Sequence, residues 1–148
     1  MTTNPDPAAL AWLREDLFSV DERGIPVALQ GTRCLDCARV FFPPRAICTH
    51  CGPPEGRLAT HRLSAQGVIH ASTVVRVPSS LGHAAPYAYG YVDLPQDSTR
   101  IFAPLSGAPL TAFAPGTRVR LSLGVIAASA LPGVLGYSFA PEECTGHG

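Results

Sequence analysis

Two Cys-x2-Cys pairs, Cys34 with Cys37 and Cys48 with Cys51, stand ten residues apart in this 148-residue chain. Each pair puts two sulfurs on one side of a tight knuckle. Two facing knuckles complete a tetrahedral thiolate cage about 2.3 Å from a zinc ion, with all four positions filled. Such a zinc organises structure and does no Lewis-acid chemistry, because no position is open for water or substrate. Iron also suits four tetrahedral sulfurs and stands as the alternative metal. Adventitious cysteines and two disulfides are the other readings, and a cytosolic setting favours metal over disulfides.

The bulk numbers narrow the setting. A chain of this length can bury roughly two-thirds of its unfolded surface in one core. Hydrophobic residues make up 46% and charged residues 15%, which leaves more exposed apolar area than a lone monomer tolerates and points to a partner. The formal net charge is zero, so the chain lacks the broad positive field that recruits nucleic acid. All eleven basic side chains are Arg. A GC-rich genome and a need for forked phosphate contacts are the two open explanations. No apolar run reaches the ~18 residues of a membrane span, and Asp6 stands where a secretory leader would be basic and then apolar. The expectation is a cytoplasmic protein without membrane contact, with Cys144 as the odd thiol.

Asp6 and Pro7 read as an N-cap and first helical residue. Leu10, Leu13 and Leu17 recur at spacings of three and four beside Trp12, with Arg14, Glu15 and Asp16 on the remaining arc, which predicts a short amphipathic α-helix. Residues 1–28 are assigned to this helix and a linker, and residues 29–60 to a zinc ribbon whose second strand is Val40 to Phe42. Gly52, directly after Cys51, suits a left-handed turn. The equivalent position in the first knuckle is Ala38, where positive φ costs about 1 kcal/mol or more.

Residues 61–148 are assigned to a barrel with a C-terminal tail. Val119, Leu121, Leu123 and Val125 alternate with polar or small residues, as do Leu135, Tyr137 and Phe139. Three further strands are expected at Gly67 to Val77, Tyr87 to Leu94 and Arg100 to Leu105. Five strands without a strong helix between them suggest a closed or nearly closed antiparallel barrel of the OB type. The fold class is therefore mainly β: an N-terminal helix, a zinc ribbon, then a five-stranded OB-fold barrel.

From Gly31 to Pro141 the chain resembles the family of acyl-CoA-associated proteins that join a rubredoxin-like zinc ribbon to an OB-fold. The resemblance rests on Gly31-Thr32-Arg33-Cys34-Leu35-Asp36-Cys37, Val40-Phe41-Phe42-Pro43-Pro44-Arg45, Cys48-Thr49-His50-Cys51-Gly52 and Pro86-Tyr87 leading into Val92-Asp93-Leu94. Pro115-Gly116-Thr117-Arg118-Val119 and Tyr137-Ser138-Phe139-Ala140-Pro141 complete it. It implies a structural Zn²⁺ on the four cysteines and a non-catalytic accessory subunit of a thiolase-like enzyme, with a hydratase-like or synthase subunit as a further possible partner. Such a subunit completes or bridges a site for CoA or acyl-CoA, and the partner makes or breaks carbon–carbon bonds by acyl transfer. By itself the chain is then not an enzyme but a required component of a thiolase or acyltransferase complex.

Against that background Arg45, with Arg39 and Arg33 near in sequence, is the candidate contact for CoA phosphates or a partner carboxylate, since a guanidinium grips phosphate bidentately and stacks on a base. The competing reading is that these arginines offset the formal −2 charge of a zinc tetrathiolate. Phe42 is a contact candidate whose alternative, like that of Phe41, is ribbon packing. Tyr87, Tyr89 and Tyr91 share one strand face, expected to be barrel core or subunit interface. Stacking of single-stranded nucleic acid, the alternative function, lacks interleaved cations there. Cys144, beside Glu142 and Glu143, has the wrong surroundings for a nucleophile. His50 is expected to face solvent, and His61, His70 and His83 form no acid, base or metal grouping.

Overall fold

The period-two segments close on one another. In the computed structural model, which describes residues 11–12, 15–52, 57–80, 82–125 and 133–142, the strands in chain order are β1 (Ala11–Trp12), β2 (Phe18–Val20), β3 (Pro26–Cys34), β4 (Val40–Phe41), β5 (Leu58–Arg62), β6 (Gln66–Val75), β7 (Tyr87–Leu94), β8 (Thr99–Leu105), β9 (Arg118–Val125) and β10 (Val134–Pro141). The last five make the barrel: neighbours run β9, β6, β7, β8, β10, and a β10–β9 ladder closes the ring. Every barrel pairing is antiparallel except β8 with β10, which is parallel at Phe139 opposite Leu105. The all-antiparallel expectation fails by parity. An odd number of strands cannot alternate direction around a closed ring, so one pair must run the same way.

Alternation decides what fills the barrel. Ala88, Val92 and Leu94 of β7 point inward, where they meet Ile69, Ile101, Ala103, Leu105, Val119 and Phe139. Tyr87, Tyr89 and Tyr91 therefore lie on the outer face, which overturns the barrel-core half of their expectation and leaves the subunit-interface half open. The interior of a small barrel is filled by a few side chains, and the small face of β7 fits a space that three phenol rings would overpack.

The expected N-terminal helix is also corrected. Among the described residues no α-helix occurs; Ala11–Trp12 pairs in parallel with Val134 and Leu135, Glu15–Leu17 forms a single 3-10 turn, and β2 pairs with β3. Asp6, Leu10 and Leu13 lie outside the described residues. The physical reason is visible in β10. One edge of β10 is taken by β9, and β8 meets the other edge only near its end, so the beginning of that second edge is free to pair with β1. Leu17 is buried as the apolar stripe required, but beside Phe18 in a turn and strand.

β3 is the spine of the ribbon. It pairs with β2 through a turn in which the Asp21 carboxylate accepts the N–H groups of Arg23 and Ile25, and further along with β4 and β5 on its two edges. Gly31 allows the approach of β4, since a Cβ there would collide with the Phe41 carbonyl. Leu29 belongs to the same apolar cluster as the barrel interior, joined by Leu17, Phe18 and Leu63. Ribbon and barrel thus share a core at one end of β3, while the metal ligands hang from the other.

Candidate metal centre and the adjoining arginine segment

β3 ends on Cys34, and the chain turns at once. The Ala38 N–H donates to the Cys34 carbonyl (3.0 Å), and in the second knuckle the Gly52 N–H donates to the Cys48 carbonyl (2.8 Å). Both turn residues have positive φ, +64° at Ala38 and +72° at Gly52, so the first knuckle adopts the left-handed geometry in spite of its Cβ. Backbone N–H groups also aim at sulfur: Asp36 toward Cys34 Sγ at 3.4 Å and Cys51 toward Cys48 Sγ at 3.3 Å.

All four Sγ atoms lie within 4.8 Å of one another, with Cys34 to Cys51 at 3.9 Å and Cys37 to Cys48 at 3.7 Å. A tetrahedron with zinc–sulfur arms of about 2.3 Å has edges of about 3.8 Å, so the four cysteines are positioned to bind a zinc ion. Cys34 and Cys48 are buried and Cys51 is exposed. Backbone N–H groups of Cys37 and then Asp36 bring the Cys34 thiol down to about 7. Hydrogen bonding to Cys37, then burial and the remaining sulfurs, pushes the Cys51 thiol up to about 12. Four thiolates cannot ionise together in one place unaided, and a dication supplies the missing charge. His50 lies beside the cluster, its Nδ1 3.9 Å from Cys51 Sγ, and contributes to none of the four corners.

The segment between the knuckles is held from both sides. The Arg45 N–H donates to the buried Thr32 Oγ1 at 3.1 Å, and the Arg45 guanidinium sits 5.4 Å from the centre of the Phe41 ring. Arg33, Arg39 and Arg45 are exposed, and none of them pairs with a described carboxylate, whereas Arg57 pairs with Asp36 at the first knuckle. Phe42 is half-buried and packs edge-on against Tyr137, ring centres 5.6 Å apart. It therefore joins ribbon to barrel, the packing role set beside its contact role.

Sequence spacing gave no sign of the other joints. Asp97, almost fully buried, accepts from the Ser64 N–H at 2.8 Å and lies 2.7 Å from His61 Nε2, so one carboxylate ties β5 and the start of the barrel to the turn after β7. Thr99 Oγ1 donates to the Val40 carbonyl at 3.1 Å. Tyr137, whose phenol is held above its ordinary pKa by burial, donates to the Phe102 carbonyl at 3.1 Å across the β8–β10 seam. His70 is 3.8 Å from Asp93, which also holds Arg100, and His83 meets Ser79 Oγ at 3.0 Å. Cys144 lies outside the described residues.

The fold and the four sulfurs define a zinc-ribbon protein continued by a five-stranded OB barrel. The ChsH2 rubredoxin-like zinc ribbon domain matches residues 28–55 and the ChsH2 C-terminal OB-fold domain residues 60–123, and the chain belongs to this DUF35 family of zinc-ribbon/OB-fold proteins. It is 30% identical over 112 residues to a DUF35 domain-containing scaffold protein of Methanothermobacter thermautotrophicus, covering 75% of this chain and 83% of that protein. It is 31% identical over 117 residues to the benzoylsuccinyl-CoA thiolase subunit BbsA of Thauera aromatica, covering 79% and 78%. Among solved structures it is similar to the Ltp2-ChsH2(DUF35) aldolase, with a TM-score of 0.61 and 25% identity over 77% of this chain and 84% of that one.

Proposed function

We propose that the chain is a non-catalytic companion subunit of a thiolase-like acyl-CoA enzyme, completing or bridging the partner's CoA-thioester site for carbon–carbon bond formation or cleavage by acyl transfer. The observation that carries this reading is the match, over more than three-quarters of both chains, to a thiolase subunit. Four sulfurs spaced for a closed metal cage support a structural role for the ion, which rigidly positions the segment from Phe42 to Arg45. Arg45, braced on Phe41 and Thr32, and Arg39 are free to meet CoA phosphates, as their lack of carboxylate partners suits. The thiolase nucleophile and acid–base groups reside on the partner, and the setting is the cytoplasm. A hydratase-like or synthase chain as a third component belongs to the same reading.

Native mass spectrometry of the protein purified gently from its own cells tests it. The expected species is a zinc-loaded chain with a thiolase-sized subunit; a zinc-loaded chain alone, or one carrying nucleic acid, overturns the reading. Arg45→Ala is expected to weaken CoA binding by the complex about tenfold, the worth of one charge-assisted contact, with zinc content intact. Unchanged CoA affinity removes Arg45 from the site.

A further inference from the structure

The outer face of β7 and β8 is built from rings in contact. Tyr89 lies 4.9 Å from Phe102, Phe102 lies 5.8 Å from Tyr91, and Tyr87 lies 6.4 Å from Tyr89 and 5.4 Å from His83. Tyr91 and Phe102 are 50% and 47% exposed. The flanking strand opposes them with Ala71 against Tyr91, Thr73 against Tyr89 and Val75 against Tyr87, so the row forms a ridge from which Tyr91 and Phe102 stand out, while its other rings, Tyr87 and Tyr89, are half-buried. A soluble chain rarely leaves so many adjoining rings to water unless something covers them. Aromatic rings with a hydroxyl at one end are the side chains that recur at the centre of protein interfaces.

Charge selects the occupant. From Tyr87 and Pro104 to Tyr91 and Phe102 the ridge carries no carboxylate, guanidinium or ammonium; at its end Arg100 is held by Asp93 at 2.5 Å, with His70 beside them. An anionic polymer would find no interleaved cation there. The arginine segment of the ribbon exposes the cations Arg39 and Arg45, and the exposed apolar side chains nearest to it in sequence, Leu35 and Ile47, are single aliphatic residues, not rings in contact. The ridge is also fixed to that segment: the Tyr137 that carries Phe42 donates to the Phe102 carbonyl.

We infer that the Tyr87–Tyr91 and Phe102 ridge is the face through which this chain docks its enzyme partner, seated against an uncharged, apolar surface of the thiolase-like subunit. The inference rests on the companion-subunit reading. A protein seated on the ridge has its distance to Arg45 set by the Phe42–Tyr137–Phe102 connection, so the barrel anchors and the ribbon presents.

The test compares Phe102→Glu and Tyr91→Ser with Val20→Glu, which alters a 45% exposed apolar residue on β2. Affinity for the separately purified thiolase-like subunit is measured with each chain zinc-loaded. The expected result is a loss of about 30-fold or more for Phe102→Glu, a smaller loss for Tyr91→Ser and none for Val20→Glu, with zinc content and thermal midpoint unchanged in all three. Undiminished binding by a folded Phe102→Glu overturns the docking face and leaves the companion reading standing. A wild-type chain that binds no thiolase-like subunit overturns both. A wild-type dimer dissolved by Phe102→Glu, or oligo-dT binding abolished by Tyr91→Ser, assigns the ridge to a second copy or to nucleic acid and overturns the inference.

Discussion

The barrel and the knuckles are cut from one chain and held by opposite means. Inside the barrel Val92, Ile101, Val119 and Phe139 are essentially removed from water, and the strands need nothing else to choose their faces. From Leu35 to Gly52 only Cys48 is buried, and Leu35 and Ile47 are exposed. That stretch has no core of its own. The four sulfurs stand where a core would, which is why removing one ion is expected to undo the knuckles and not the barrel. Apolar burial is spread over many small contributions, whereas a metal concentrates its contribution at a point.

The sharpest way to break the comparison is to remove zinc with a chelator, or a ligand by Cys48→Ser. The apparent worth of a structural zinc in small domains is on the order of 10 kcal/mol, so this is the largest effect expected. Amide exchange is predicted to lose protection in the knuckles and β4 while β6 to β9 keep theirs. Equal loss in both regions would mean that the barrel also depends on the ion. Next in size is Asp97→Ala, which leaves the Ser64 N–H and His61 without their acceptor at the boundary; about 1–3 kcal/mol is expected. If that carboxylate couples the two regions, calorimetry will show one transition in the wild type and a separate, earlier ribbon transition in the variant. The smallest effect distinguishes the knuckles from each other. Ala38→Gly is expected to stabilise the zinc-loaded chain by about 0.5–1 kcal/mol, because it relieves a left-handed alanine, and Gly52→Ala to destabilise it by a similar amount. Matched thermal midpoints for the pair would show that the metal overrides the turn.

Much of this comparison is local in the chain, and that part is legible in the sequence. The cysteine spacing and the period-two runs depend on neighbours within a few residues, so the four ligand candidates and the five barrel strands emerge from reading alone, with ends displaced by one or two residues. The tyrosine stripe marks the limit. Alternation establishes that Tyr87, Tyr89 and Tyr91 share a face but not which face is inside; the volume of the closed barrel decides that. The stripe of Leu10, Leu13 and Leu17 likewise states that something apolar must be buried, which Leu17 satisfies in a 3-10 turn and strand context. Asp97 and His61 meet across 36 residues, and no local pattern announces such a pair. The same holds for Phe42, whose place against Tyr137 depends on how two sheets stack.

β3 has a consequence for anyone who would exchange parts between relatives. Four residues separate Leu29, seated in the barrel cluster, from Cys34, seated in the cage, and both belong to one continuous strand. Because side chains alternate along a strand, a graft that adds or drops one residue in that interval would turn Cys34 to the opposite face. A chimaera joined inside β3 inherits a misaimed ligand, whereas one joined before Pro26 carries the whole strand, and its phase, along with the ribbon. The strand works as a keyed shaft, fixing by its residue count the angle at which one half of the molecule meets the other.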